Sequence, residues 1–209
     1  MNWFDRIILL LTGLTAVYLV WQFWKRYSWE KKVYVLYYIM SFVVLFVSGV
    51  LLIFMGYGIL GSPFVLTVAS LIPLGISIGI MRQYYEQYLR PYIWFATVGF
   101  LAIAISSFAG WELVRKISVP VFHGVAGLVI FLGPFLVNKY GQGQKAAEGF
   151  WWVGVGGVLI GLGGIALAFL SVGSQLLFFS QSFVLMILAP LLLLMTLAFT
   201  FGFVKDIKE

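Results

Sequence analysis

Apolar residues in this chain come in long runs, and the polar residues between them are few and mostly basic. A run of about 20 apolar residues is what a helix needs to cross the ~30 Å hydrocarbon core of a bilayer. Seven runs have that character, at approximately 4–24, 33–56, 60–81, 91–111, 118–138, 150–172 and 176–204. The expected fold is an all-α membrane protein, a seven-transmembrane-helix bundle, with residues 1–209 forming a single polytopic membrane domain. The connections are too short to hold a soluble domain. The first run, "IILLLTGLTAVYLVW", lacks a small-residue cleavage site and is followed directly by Lys25 and Arg26, so it reads as a retained helix. Pro73 and Pro190 fall mid-run and should kink the third and seventh spans.

The polar connections give an orientation. With seven spans, Lys25, Arg26, Lys31, Lys32, Arg82, Arg90, Lys139, Lys145, Lys205 and Lys208 fall on one side of the membrane, and Arg6, Arg115 and Lys116 on the other. Basic residues are retained in cytoplasmic loops, so the N-terminus is expected outside and the C-terminus in the cytoplasm. Aromatic residues agree. Trp21, Trp24, Tyr27, Trp29, Tyr34, Tyr37, Tyr38, Tyr84, Tyr85, Tyr88, Tyr92, Trp94, Tyr140, Trp151 and Trp152 flank the inner connections. Trp3, Tyr57 and Trp111 flank the outer ones. Amphipathic rings prefer the headgroup level, so both sets read as anchoring belts.

Composition supports the membrane assignment. The chain is 63% hydrophobic and 10% charged, with mean hydropathy +1.06, against about 25% charged residues in a soluble domain. The net charge of +6 is spread over short loops rather than one stripe, which argues for membrane orientation and against nucleic acid. The absence of cysteine removes disulfides, thiolate metal sites and thiol nucleophiles. Short loops and small size favour a prokaryotic cytoplasmic membrane.

The sixth span, "WWVGVGGVLIGLGGIALAFLS", poses a packing question. Glycine costs roughly 1 kcal/mol against alanine inside a helix in water. Gly154, Gly157, Gly161, Gly164, Ala168 and Ser171 are separated by 3, 4, 3, 4 and 3 residues, a seam of small side chains with period 3.5. Helices in lipid associate through close packing, which small residues permit. The seam can serve inside the bundle, where Gly99, Ala102 and Ser106 of the fourth span offer a small face, or against another subunit. Gly75 and Gly79 offer a similar face on the third span.

Candidate chemistry is sparse. Ionisable residues inside membranes mark pumps and proton relays, and tyrosines aside only His123 falls within a span. The last span has no lysine before Lys205, so covalent retinal is not expected. One histidine excludes bis-histidine haem ligation within one chain. His123 lies ~7 Å below the outer end of the fifth span at 1.5 Å per residue. Glu112, at the end of the fourth, is expected beside it as a hydrogen-bond acceptor, with Arg115, Lys116, Asp5 and Gln175 nearby. His123 and Glu112 are therefore the candidate cofactor-binding residues, for a quinone or a haem shared with another subunit. The alternative is a histidine satisfied locally. No metal-binding or catalytic constellation stands out. Thr12, Thr15 and Gln22 share a face of the first span, and Ser41 and Ser48 one of the second, as a polar path or as cross-helix hydrogen bonds.

Three functions follow. The leading one is a non-enzymatic accessory or scaffolding subunit of a larger membrane complex, whose partners are the lipid bilayer and other membrane subunits. The second is a channel or transporter for a small neutral or lipophilic solute. The third is a redox-cofactor subunit using His123.

Overall fold

A computed structural model describes residues 1–141, 145–172 and 181–208, with side chains described in 1–141, 145–164 and 182–207. The described elements are α1 (Trp3–Glu30), α2 (Val33–Met55), a 3-10 turn (Tyr57–Gly61), α3 (Pro63–Ala69), α4 (Leu71–Tyr84), α5 (Glu86–Phe108), α6 (Glu112–Tyr140), α7 (Trp151–Val172) and α8 (Gln181–Lys208). Among the described residues, six helical stretches are long and apolar enough to cross a bilayer: Trp3–Glu30, Val33–Met55, Pro63–Tyr84, Glu86–Phe108, Glu112–Tyr140 and Ser182–Ile207. The Trp151–Gly164 part of α7 is a shorter apolar helix. The chain is a membrane-embedded, multi-pass, all-α protein.

Hydropathy marks where lipid ends, not where a helix ends, and several helices run past their apolar cores. α1 opens with a capping box, in which Asp5 N–H donates to Asn2 Oδ1 at 2.8 Å and Asn2 N–H to Asp5 Oδ2 at 3.1 Å. It continues beyond the expected boundary to Glu30, where Arg26 and Glu30 pair at i, i+4 with N–O 2.7 Å. The expected connection over 82–90 contracts to Tyr85, because α4 and α5 extend to either side of it. α6 starts at Glu112 rather than near 118.

The third span is interrupted one turn before Pro73. That proline has no N–H for the Ala69 carbonyl, α3 ends at Ala69, and the Ser70 hydroxyl donates to Thr67 O at 2.7 Å. α8, by contrast, passes through Pro190 as one continuous helix.

Helix neighbours close a ring: α1 packs on α2, α2 on α4, α4 on α6, α6 on α7, α7 on α8, and α8 on α1. α5 lies outside it, against α3, α4 and α6. Leu9 clusters with Ala189, the Phe23 and Phe203 rings lie 5.2 Å apart, and Arg26 meets Asp206. The first and last helices therefore run parallel, with their N-terminal halves together and their C-terminal ends together.

The seam glycines Gly154, Gly157 and Gly164 face α6, whereas the sequence allows the fourth span as one receiver of the seam. A methyl group added at Gly154 would lie 2.8 Å from Phe131 O, and one at Gly157 2.5 Å from Phe131 N. One at Gly164 would lie 2.9 Å from the His123 ring. Gly161 passes Gly127, whose added methyl would lie 3.3 Å from Gly161 Cα. The small face of α5 is occupied as well, since Gly99 receives the Phe122 ring of α6. Ala168 and Ser171 belong to α7 but lie outside the residues whose side chains are described. Gly79 of α4 lies against the Tyr38 ring, and Gly75 beside Ser41 of α2, so glycines also let α2 and α4 pack closely.

Candidate functional site

Two charges end two aromatic stripes. Arg26 follows Phe23 by three residues on α1, and Asp206 follows Phe203 by three on α8. That spacing puts each charge on the face that its phenylalanine buries. An isolated buried charge is costly unless it is paired and hydrogen-bonded. Arg26 Nη1 meets Asp206 Oδ2 at 2.5 Å, with the two side chains 13% and 7% exposed. Asp206 is further satisfied by the Tyr84 hydroxyl, which donates to Oδ1 at 2.6 Å, and by Gln83 Nε2, which donates to Oδ2 at 3.1 Å. Gln83 Nε2 also donates to the Tyr84 hydroxyl at 2.9 Å, and its Oε1 accepts from the Tyr38 hydroxyl at 2.9 Å. Arg26 Nε donates to Glu30, whose second oxygen accepts from the Tyr34 hydroxyl. The result is one hydrogen-bonded floor joining α1, α2, α4 and α8.

On one side of this floor opens a vestibule of about 730 Å³. Its lining carries Arg26, Lys31, Lys32, Arg82 and Lys145, against the carboxylates of Glu86 and Asp206. Arg26 is committed to Asp206 and Glu30. The other four cations make no ion pair with a described carboxylate.

On the opposite side lies an aromatic septum. Phe23, Phe42, Phe150, Phe199 and Phe203 are all fully buried. Tyr38 connects floor to septum, with its ring centroid 4.9 Å from Phe23 and 4.7 Å from Phe203. Phe42 meets Phe199 at 5.9 Å, and Phe150 meets Phe203 at 5.9 Å, both edge-on. Beyond the septum, towards the N-terminal half of α1, is a second cavity of about 110 Å³, almost wholly apolar, which Thr12, Ser48, Pro73, His123 and Gly164 help to line.

His123 thus faces a cavity, but Glu112 does not join it. Because α6 begins at Glu112, both residues sit on one helix, eleven positions and ~16 Å apart at 1.5 Å per residue. Glu112 is exposed and pairs with Lys116 at 3.4 Å. The acceptor within reach of the imidazole is the Val119 carbonyl one turn earlier. Asp5 caps α1, and Gln175 lies outside the described residues. The cavity that the described residues enclose, about 110 Å³, is smaller than the ~150 Å³ that admits benzene. Among the described residues no three of His, Asp or Glu gather to hold a metal ion.

The hydroxyl faces are satisfied close to home. Thr12 donates to Ile8 O at 2.9 Å, Thr15 to Leu11 O at 2.8 Å, and Gln22 to the Tyr18 hydroxyl at 2.6 Å, all within α1. Ser41 reaches across to Leu71 O at 3.4 Å as well as back to Tyr37 O at 2.9 Å.

The floor is what sequence reasoning missed. Trp21, Trp24, Trp29, Tyr88, Trp94, Tyr140 and Trp151 are exposed, as belt anchors should be. Tyr38, Tyr84, Tyr85 and Tyr92, assigned to the same belt, are buried. Tyr85 donates to Gly133 O at 2.5 Å, and burial pushes its hydroxyl up to about 12, so it acts as a neutral donor. The signal available was helical spacing: Phe199, Phe203 and Asp206, or Leu19, Phe23 and Arg26, recur at three or four residues and carry a charge onto an apolar face.

No protein-family model matches this chain, and no curated protein or solved structure is similar enough to it to count as a match.

Proposed function

We propose that this protein is a carrier for a small solute in a prokaryotic cytoplasmic membrane, loaded through the vestibule. The bundle crosses the membrane seven times, with α3 and α4 together as the third span and α7 as the sixth. The N-terminus lies outside, and the vestibule opens to the cytoplasm. Parallel first and last helices require an odd number of crossings, and the side rich in Lys and Arg belongs inside.

One observation carries the carrier reading. The interior of the ring is divided into a charged vestibule of about 730 Å³ and an apolar cavity of about 110 Å³, with a hydrogen-bonded floor and an aromatic septum between them. A vestibule of that size lies within the ~300–1,000 Å³ range of small-molecule sites. A scaffold has no use for such a division. The α7 seam, which argued most for partner subunits, is spent on α6 from Gly154 to Gly164. The redox reading has less support, because Glu112 pairs with Lys116 rather than with His123.

Reconstituted into liposomes, the protein should give saturable flux of at least one member of a panel of small neutral and charged solutes. Phe42→Leu and Phe203→Leu, which thin the septum with little loss of volume, should raise unselective leak. Folded, inserted protein that passes no member of the panel would overturn the carrier reading.

A further inference from the structure

We infer that the vestibule is a binding site for a phosphate-type oxyanion, borne by a small soluble molecule or by a lipid headgroup. This deepens the carrier reading by naming the chemistry of what is loaded. Orientation in the membrane alone requires only that cations collect at one end of the bundle. It does not require them to face one cavity. Here Lys25 lies over the Trp21 ring at 3.3 Å and Lys139 over the Tyr140 ring at 5.0 Å, away from the vestibule lining, whereas Lys31, 5.3 Å from the Tyr27 ring, lines the vestibule as well.

Lys31, Lys32, Arg82 and Lys145 come from three separate segments and converge on one concave space. With Arg26 committed to Asp206 and Glu30, these four face one further carboxylate among the described lining residues, that of Glu86, and Lys32 also lies within the field of Glu30. A cleft lined by one sign of charge and walled by low-dielectric material concentrates the opposite sign. Arg82 supplies a planar fork and the lysines supply mobile point charges, a combination that suits an ion with several oxygens. The floor beneath is a fixed set of paired groups, so a ligand need not compensate Asp206.

The test is binding by the full chain in nanodiscs, at physiological salt. One arm titrates inorganic phosphate and pyrophosphate in zwitterionic lipid. The other replaces part of that lipid with phosphatidic acid and measures lipid retained on purification. Saturable binding is expected in one arm, and the arm tells which source supplies the phosphate. Arg82→Gln with Lys145→Gln should weaken it by about tenfold or more, and Arg82→Lys with Lys145→Arg should restore most of it. Lys25→Gln with Lys139→Gln, equal in charge removed at the same end, should leave it within about twofold. Absence of saturable binding in both arms, or equal losses in the two neutralised pairs, would overturn the inference. Binding without flux would sink the carrier reading alone, and flux without binding would sink this inference alone.

Discussion

Asp206→Asn should destabilise the protein by about 3 kcal/mol, the lower end of what breaking a buried ion pair costs, because Arg26 keeps only its more exposed partner Glu30. The substitution keeps shape and volume but removes the charge that Arg26 Nη1 meets at 2.5 Å. It also places an amide where Tyr84 and Gln83 now donate to carboxylate oxygens, so one donor must turn towards another. Glu30 cannot take over, because its own oxygens already receive Arg26 Nε and the Tyr34 hydroxyl. Equilibrium unfolding in mixed micelles would measure the loss. Two comparisons make the result specific. Glu30→Gln, at a pair member 34% exposed, should cost no more than ~1 kcal/mol. Arg26→Gln combined with Asp206→Asn should recover part of the loss, since neither charge is then stranded. If Asp206→Asn unfolds like the unmodified chain, the floor is not what joins α1 to α8.

The second large effect separates two glycines that look equivalent in sequence. Gly157 and Gly161 form one GxxxG pair. At Gly157 an added methyl would lie 2.5 Å from Phe131 N and 2.7 Å from Ile130 C. Those are backbone atoms of α6 and cannot rotate aside, so the helices must part. Packing is the main force holding helices together in lipid, and overfilling such a contact costs about 1–3 kcal/mol. Gly157→Ala is expected in that range and Gly157→Val beyond it. At Gly161 the methyl would find no atom within 4 Å. Gly161→Ala should therefore stay within ~1 kcal/mol, on the stabilising side. The same unfolding assay reads both. Equal losses at the two positions would mean that the α6–α7 contact differs from the one described.

The helical bundle could be read from hydropathy because a run of apolar residues is a direct statement about solvent. Which way a side chain faces is not. Tyr38 and Trp24 both fall beside the first inner connection and look alike as headgroup anchors, yet Trp24 is 57% exposed and Tyr38 is fully buried. Averaging hydropathy along a span discards the rotation about the helix axis that separates them. The same loss hid Asp206, which in sequence is one charge in a polar tail and in the fold is the acceptor that gathers Arg26, Gln83 and Tyr84. The period of 3.5 among the small residues of α7 is informative by itself, and of those whose side chains are described Gly154, Gly157 and Gly164 lie against α6. The receiving helix was not legible, because α5 and α6 both carry small faces and only packing decides between them. The expected pairing of His123 with Glu112 failed at a boundary. Six residues counted as loop belong to α6, and two helices imagined face to face became one.

The division of the interior into a wet vestibule and a dry septum is tested most directly by thiol accessibility, and the chain has no cysteine of its own to interfere. Val33 and Glu86 line the vestibule and are exposed, whereas Ala16 and Ile76 are fully buried in the ring. Single variants Val33→Cys, Glu86→Cys, Ala16→Cys and Ile76→Cys, in membranes without added solute, would be treated with a charged, membrane-impermeant maleimide from the side on which the vestibule opens. Rapid labelling is predicted at the first two positions and protection at the last two. Labelling of Ala16→Cys and Ile76→Cys as fast as Val33→Cys would mean a continuous water-filled channel and would contradict the account.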